Sequence, residues 1–218
     1  GELHSLVADH VVQGRVIFPG AGYLEMARAA GPMGSGLVDV FFLQPLAVEA
    51  PGLRIECALS NRRFEIRSGA ESDDAAVHCS GTASPITEDA SPSDFARERS
   101  RRCACASDVT ALYDGFGTMG LQYGPSYRRL HQAWRGVATA MARLLPRSEW
   151  HGTQVHPADL DGALQLSALV STERGGETRL PFAVDESRLQ GGPAGQLWSV
   201  VESGASGSAS VHLGPSRS

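Results

Sequence analysis

The sequence predicts an α+β fold in which antiparallel strands curve around a central helix, with that plan used twice. Three observations predict it. Helical stretches open at Pro19 and at Pro157, and proline suits the first turn because its missing N–H has no intrahelical partner there. Residues 53–59 and 63–67 alternate apolar and polar at period two, the signature of half-buried antiparallel strands. Further strand-like segments come after the first helix, 37–42 and 46–48 as a strand pair and then 76–81, and others at 132–136, 138–144, 180–185, 196–202 and 209–213 accompany the second.

Composition narrows the class. With 218 residues, 42% hydrophobic and 20% charged, the chain can bury one large core or two smaller ones. The net charge of -5 offers no basic face for nucleic acid. No apolar run approaches the ~18–20 residues of a membrane span, and the N-terminus lacks the basic start and apolar core of a signal peptide. A cytoplasmic location is therefore expected. Of the four cysteines, Cys103 and Cys105 are spaced too tightly for a zinc knuckle and no matching His/Cys pair comes after them, so no metal site is expected and the thiols are read as free. Gly31–Gly36 trails a helix instead of opening one, the wrong context for a phosphate loop.

In chain order, Arg15 to Phe18 is strand-like, Pro19-Gly20 breaks it, and Tyr23, Leu24, Ala27 and Ala30 give the next helix a face to bury. The N–H groups at its start, around Gly20 and Ala21, point back toward the turn that carries His10, where a developing oxyanion could be held. Residues 1–85 thus form an N-terminal half carrying His10. Between 86 and 107, Ser, Pro, Asp, Glu and Arg dominate, with Arg97, Arg99, Arg101 and Arg102 close together, and the segment is read as a linker. Residues 108–218 form the C-terminal half. It opens with a short helix at 108–117 and carries Asp161, with Gln165 on the same helical face four residues on. Carboxylates in a first helical turn are favoured by about 0.3–1 kcal/mol, which alone accounts for an Asp there.

Four blocks, taken together and in order, carry a resemblance: His10-x3-Gly14-x4-Pro19; Tyr123-Gly124-Pro125-x-Tyr127; His156-Pro157-Ala158-x-Leu160-Asp161-x-Ala163-Leu164-Gln165; and Leu180-Pro181-Phe182. They resemble the dehydratase domains of modular polyketide synthases, whose second block ends in Phe where this chain has Tyr127. The resemblance implies a double hotdog fold, two antiparallel sheets each wrapped around a central helix. It implies loss of water from a β-hydroxyacyl thioester borne on the phosphopantetheine arm of an acyl carrier protein, with other polyketide synthase domains as neighbours, room for a homodimer, and no cofactor. Carried over by position, His10 is the base for the α-proton and Asp161 the acid for the departing hydroxyl. Gln165, Tyr123, Gly20, Ala21 and Pro125 are then expected to bind substrate, and Gly14, Pro19, Gly124, His156 and Pro157 to hold the backbone.

The chemistry fits those residue types. A neutral imidazole can take a weakly acidic proton near physiological pH. An aspartic acid, ordinarily titrating near ~3.9, must be desolvated to stay protonated, as an apolar tunnel lined by Phe18, Leu160, Leu164 and Phe182 would ensure. A pyran-forming cyclase or a double-bond isomerase on the same residues, and a silent acyl-binding domain, stay open from sequence. His4, His78, His131, His151 and His212 match no block.

Overall fold

The alternating stretches pair as their pattern requires. In the computed structural model of the chain, which describes residues 2–33, 35–49, 52–69, 75–85, 94–170, 183–187, 196–204 and 208–215, β4 (Ile55–Ser60) and β5 (Arg63–Ser68) form a hairpin. Its two turn residues, Asn61 and Arg62, take φ values of 49° and 66°, the left-handed pair that matches strand twist. β5 continues to β6 (Ala76–Pro85), which pairs with β3 (Ser35–Phe42). Helix α2 (Gly20–Ala30), preceded by α1 (Glu2–Val7), β1 (His10–Val12) and β2 (Arg15–Val16), packs its Tyr23, Leu24 and Ala27 face against this sheet.

The second half has α4 (Val109–Thr118), β8 (Leu121–Tyr123), β9 (Leu130–Arg135), β10 (Thr139–Leu144) and α5 (Pro157–Gln165), which runs into a 3₁₀ turn, Leu166–Leu169. After it come β11 (Ala183–Ser187), β12 (Leu197–Ser203) and β13 (Ala209–Pro215). With β7 (Cys105–Ser107), two five-stranded antiparallel sheets result, β11-β3-β6-β5-β4 and β13-β12-β10-β9-β7, joined by a three-stranded sheet β2-β1-β8. α2 lies on the first large sheet, α5 on the second, and the two helices touch each other. This is the double hotdog arrangement.

Four sequence expectations need correction. Part of the expected linker is structured: α3 (Phe95–Arg102) is capped by Asp94, and β7 (Cys105–Ser107) pairs with β9. The Arg-rich sequence hides a helix whose few apolar contacts suffice. Phe95 stacks near Trp198 at 6.5 Å, Cys103 is buried, and the Arg99 guanidinium lies 5.3 Å over Trp134. Second, the halves exchange chain: β11 pairs with β3 of the first sheet, and β8 with β1, so the pairing crosses the division at 85 and 108. Third, residues 46–48 do not pair with 37–42 but run beside β2, with a bridge between Ile17 and Ala47. Fourth, the central helix of the second half comes after three strands of its sheet and precedes two, whereas α2 precedes all of its own. Of the expected strand 180–185, residues 180–182, including Leu180-Pro181-Phe182, lie outside the described residues.

α5 is buried on every side from Pro157 to Ala163, so each polar residue on it needs a partner. Asp159 has two. Arg129 Nε donates to Oδ1 at 2.6 Å, Arg147 Nε donates to Oδ2 at 2.9 Å, and Arg129 also donates to the Leu145 and Pro146 carbonyls. This cluster ties α5 to the β8–β9 turn and to the strand end at Leu144. Gly162 permits the approach, since a Cβ there would stand 2.9 Å from Arg129 Cβ. Asp159→Ala leaves two guanidinium groups without their carboxylate, and the expected loss is about 3–5 kcal/mol, to be read as a fall in the denaturant midpoint at unchanged m-value.

Candidate active site

The His10-x3-Gly14 spacing is the arithmetic of a two-residue hairpin. Val12 pairs with Arg15, so the turn residues are Gln13 and Gly14, with φ of 50° and 78°. Glycine adopts that backbone without penalty, as this turn type requires. The return strand then brings Ile17 opposite His10. Ile17 N–H donates to the His10 carbonyl at 3.1 Å, and His10 Nδ1 donates to the Ile17 carbonyl at 2.7 Å. A carbonyl can only accept, so Nδ1 carries a proton, and in the neutral imidazole the lone pair is on Nε2. Two residues later Pro19 caps α2, and the first-turn N–H groups of Gly20 and Ala21 precede any intrahelical acceptor.

β8 brings the second half to this histidine. It pairs antiparallel with β1 in the register His10↔Tyr123 and Val12↔Leu121. The Tyr123 and Tyr127 rings pack 5.7 and 5.3 Å from the imidazole. The next residue is Gly124 because Asp9 crosses it: a Cβ would meet the Asp9 carboxyl at 2.4 Å, while Gly124 N–H donates to the Asp9 carbonyl and Ser126 N–H to Asp9 Oδ2.

Asp161, on α5, completes the arrangement. Its Oδ1 stands 3.8 Å from His10 Nε2, and its Oδ2 accepts from Gln165 Nε2 at 2.8 Å. His10 and Asp161 are 5% and 7% exposed, so substrate would meet both away from bulk water. Burial raises the Asp161 carboxyl above the ordinary carboxylate range, and it outweighs the opposing pull of His10 and the Gln165 hydrogen bond. Burial also raises the Tyr123 and Tyr127 phenols, with Asp161 next in effect. The site therefore holds a lone pair on one side and a carboxyl biased toward its protonated form on the other. Among the described residues no three or more His, Cys, Asp or Glu side chains gather closely enough to hold a metal ion, and no helix is long and apolar enough to cross a membrane.

Similarity to known proteins extends over most of the chain. Residues 92–214, more than half of its length, match a family model described as the polyketide synthase dehydratase N-terminal domain, and residues 1–69 match one described as the polyketide synthase dehydratase domain. The chain belongs to the polyketide synthase dehydratases. It is 34% identical to polyketide synthase GfsE of Streptomyces halstedii over 88% of its own length, and spans 6% of the length of that synthase. The dehydratase domain from the CurF module of curacin polyketide synthase superposes with a TM-score of 0.82 at 25% identity, covering 96% of this chain and 82% of that one. An inactive Asp-to-Asn variant of the CurK dehydratase superposes at 0.79 with 26% identity, covering 96% and 82%. The chemistry of this dehydratase is the removal of water in polyketide assembly.

The dehydratase fold gathers His10, Asp161, Gln165 and Tyr123 into one cluster, with Gly20 and Ala21 at the helix start beyond the hairpin. Pro125 is exposed on the turn after β8, so it shapes that turn and its ring faces solvent. His156 and Pro157 open α5, where His156 Nδ1 accepts from Ala158 N–H at 3.1 Å. The expected tunnel residues diverge. Phe18 and Leu160 belong to the core beneath α2, Leu164 is half-buried, and Phe182 lies outside the described residues. A cavity of about 560 Å³ does open beside Phe18 and Pro157, between α1, α2 and residues 151–154, but neither His10 nor Asp161 lines it.

Two neighbours of the site have little or no signal in the sequence. Tyr113 donates to Gln165 Oε1 at 2.9 Å, yet on an amphipathic helix its spacing reads as core. Tyr127 is wholly buried against His10, and among the described residues its hydroxyl has no hydrogen-bond partner. Its one signal is the Tyr standing where the second block ordinarily ends in Phe.

Two buried groups make stability depend on pH. A carboxyl held above its ordinary range destabilises the fold once the unfolded form ionises. Asp161→Asn is therefore expected to melt higher than the parent at neutral pH, with the gap opening as pH rises through the carboxylate range and then levelling off. His156 behaves oppositely. Burial, then Arg147, holds its pKa down to about 3, so stability falls as pH drops from the ordinary histidine value of 6.5 toward that point. His156→Asn, which keeps a capping oxygen, is expected to flatten that acid slope in a series of thermal melts.

Proposed function

We propose that the chain converts a 3-hydroxyacyl thioester, presented on the phosphopantetheine arm of an acyl carrier protein, into the 2-enoyl thioester. The observation that carries this reading is the opposed pair at 3.8 Å, His10 Nε2 with its free lone pair and Asp161 Oδ1 on a carboxyl raised by burial. His10 takes the α-proton, the freed electron pair forms the Cα–Cβ double bond, and the Cβ–O bond breaks. Asp161 supplies the proton with which the hydroxyl leaves as water. The resulting imidazolium and carboxylate face each other, so transfer of one proton from Nε2 to Oδ1 restores the starting state.

The first-turn N–H groups of Gly20 and Ala21 would hold the thioester carbonyl as charge builds on it. Tyr123, opposite His10, would bind near the β-hydroxyl. Acid and base together complete the elimination, so no cofactor is needed beyond the carrier arm. The working context is a cytoplasmic synthase, with the carrier protein and neighbouring synthase domains as partners. The inactivity of the Asp-to-Asn variant of the CurK dehydratase supports giving the acid role to an aspartate.

Mass spectrometry of a 3-hydroxyacyl carrier protein incubated with the chain tests the reading. Loss of one water mass is expected, with His10→Ala and Asp161→Asn each slower by at least ~100-fold. Full turnover by either variant would remove that residue from the mechanism. An unchanged hydroxyacyl mass, with a distally hydroxylated enoyl substrate altered in chromatographic mobility, would replace dehydration by cyclisation or isomerisation.

A further inference from the structure

One buried hydroxyl beside the base is left unused by everything described so far. Tyr127 is 0% exposed, its ring packs 5.3 Å from the His10 imidazole, and its hydroxyl has no hydrogen-bond partner among the described residues. Buried hydroxyls are ordinarily paired, because no water is there to replace the lost bond. We infer that the Tyr127 hydroxyl is a specificity-determining group that takes its partner from the substrate, an acceptor oxygen on a carbon next to the reacting Cα–Cβ bond. The inference rests on the dehydration reading above.

The backbone holds Tyr127 in place from both sides. Its N–H donates to the Gly124 carbonyl at 3.0 Å, and its own carbonyl accepts from Gln165 Nε2 at 3.2 Å. A phenylalanine ring would fill the same space, so packing on His10 does not account for the hydroxyl. Tyr113 differs, since its hydroxyl accepts from Leu130 N–H and donates to Gln165 Oε1. Tyr23 also buries a hydroxyl with no partner among the described residues, but it lies in the core of the first half, against Phe18, Phe42 and His78.

The charges around the phenol place it with the acid. Burial raises its pKa most, and among charged groups Asp161 acts on it first, ahead of Arg147, Asp9 and Asp159. Arg147 and Asp159 are paired with each other, and Asp9 Oδ2 accepts from Ser126 N–H. The phenol is neutral and keeps its proton, so it can donate. In the dehydration reading the β-oxygen belongs to Asp161 and Tyr123, and the thioester carbonyl to Gly20 and Ala21. The positions left for Tyr127 are substituents on the α-carbon and on the γ-carbon. A hydrocarbon there leaves the hydroxyl unpaired, whereas an ether or hydroxyl oxygen completes it. A site built to hydrogen-bond a substrate group rejects the analogue that lacks it far more strongly than an apolar pocket could. His10 and Asp161 are nearly as secluded, at 5% and 7% exposure, so a substrate that reaches them comes within reach of the hydroxyl.

The test uses 3-hydroxyacyl carrier proteins in two pairs of equal shape, 2-methoxy against 2-ethyl and 4-methoxy against 4-ethyl. Mass spectrometry of water loss gives kcat/KM for each. The parent is expected to favour methoxy over ethyl by about 10- to 100-fold in one pair, and that pair identifies the carbon. In Tyr127→Phe the same ratio is expected to fall to within about twofold of unity. The ratio is the readout because the ring also packs on His10, so absolute rates carry both effects. Tyr127→Phe is also expected to melt no lower than the parent, since it leaves no polar atom unpaired.

Equal rates within both pairs for the parent would overturn the inference. So would a methoxy preference that survives in Tyr127→Phe, or a lower melting temperature for that variant, since the hydroxyl would then have its partner in the fold. Water loss from none of the four substrates would remove the dehydration reading alone, and the same ratio, read in dissociation constants of the four carriers, then decides the inference.

Discussion

Three backbone positions of β1 set opposite three of β8 decide whether this site exists. His10, Val11 and Val12 face Tyr123, Gln122 and Leu121, and a slip of one residue would turn the imidazole to the other side of the sheet. The surroundings guard that register. On one side the Gln13-Gly14 turn docks on β8, through Gln13 N–H on the Gly120 carbonyl and Gly14 N–H on Gln122 Oε1. On the other, Asp9 grips the backbone of Gly124 and Ser126. The hairpin that orients the imidazole and the strand that brings the tyrosines are thus one small sheet shared by both halves.

Against that sheet lies a helix with no solvent face. α5 carries two aspartates two residues apart, in opposite electrostatic circumstances. Asp159 has two arginines and is a fixed anion of the framework. Among the described residues Asp161 has no arginine partner, only the His10 imidazole 3.8 Å away, so burial acts on it with little compensation. A short buried helix therefore supplies both an anchor and a carboxyl biased toward its protonated form, and the division depends on which face each residue presents.

Much of this was legible in the chain. The two proline-opened helices and the period-two strands express local rules, and the structure places them within a residue or two of the pattern, whereas the hairpin that puts His10 on a strand and not on a turn comes from the structure alone. The pairing of Asp161 with Gln165 stems from a four-residue helical spacing. What did not show were relations with no local signature. Tyr113 looks like a core residue until its hydroxyl meets a glutamine 52 positions away. The arginine-rich stretch 97–102 reads as solvated because guanidinium planes laid on tryptophans, as Arg99 lies on Trp134, leave no hydrophobic periodicity. Strand β11 joins the first sheet across the whole intervening chain, and no pattern within residues 183–187 announces its partner.

The shared sheet also bears on how the molecule acquires its activity. His10 emerges in synthesis ahead of its surroundings, since the strand that completes them lies more than a hundred residues later and Asp161 later still. Contacts so distant in sequence form slowly, because loop-closure entropy precedes any gain from pairing. A nascent chain ending before β8 exposes one edge of β1, and an unpaired strand edge is a template for wrong partners. Folding of the second half therefore completes the site and seals that edge in the same event.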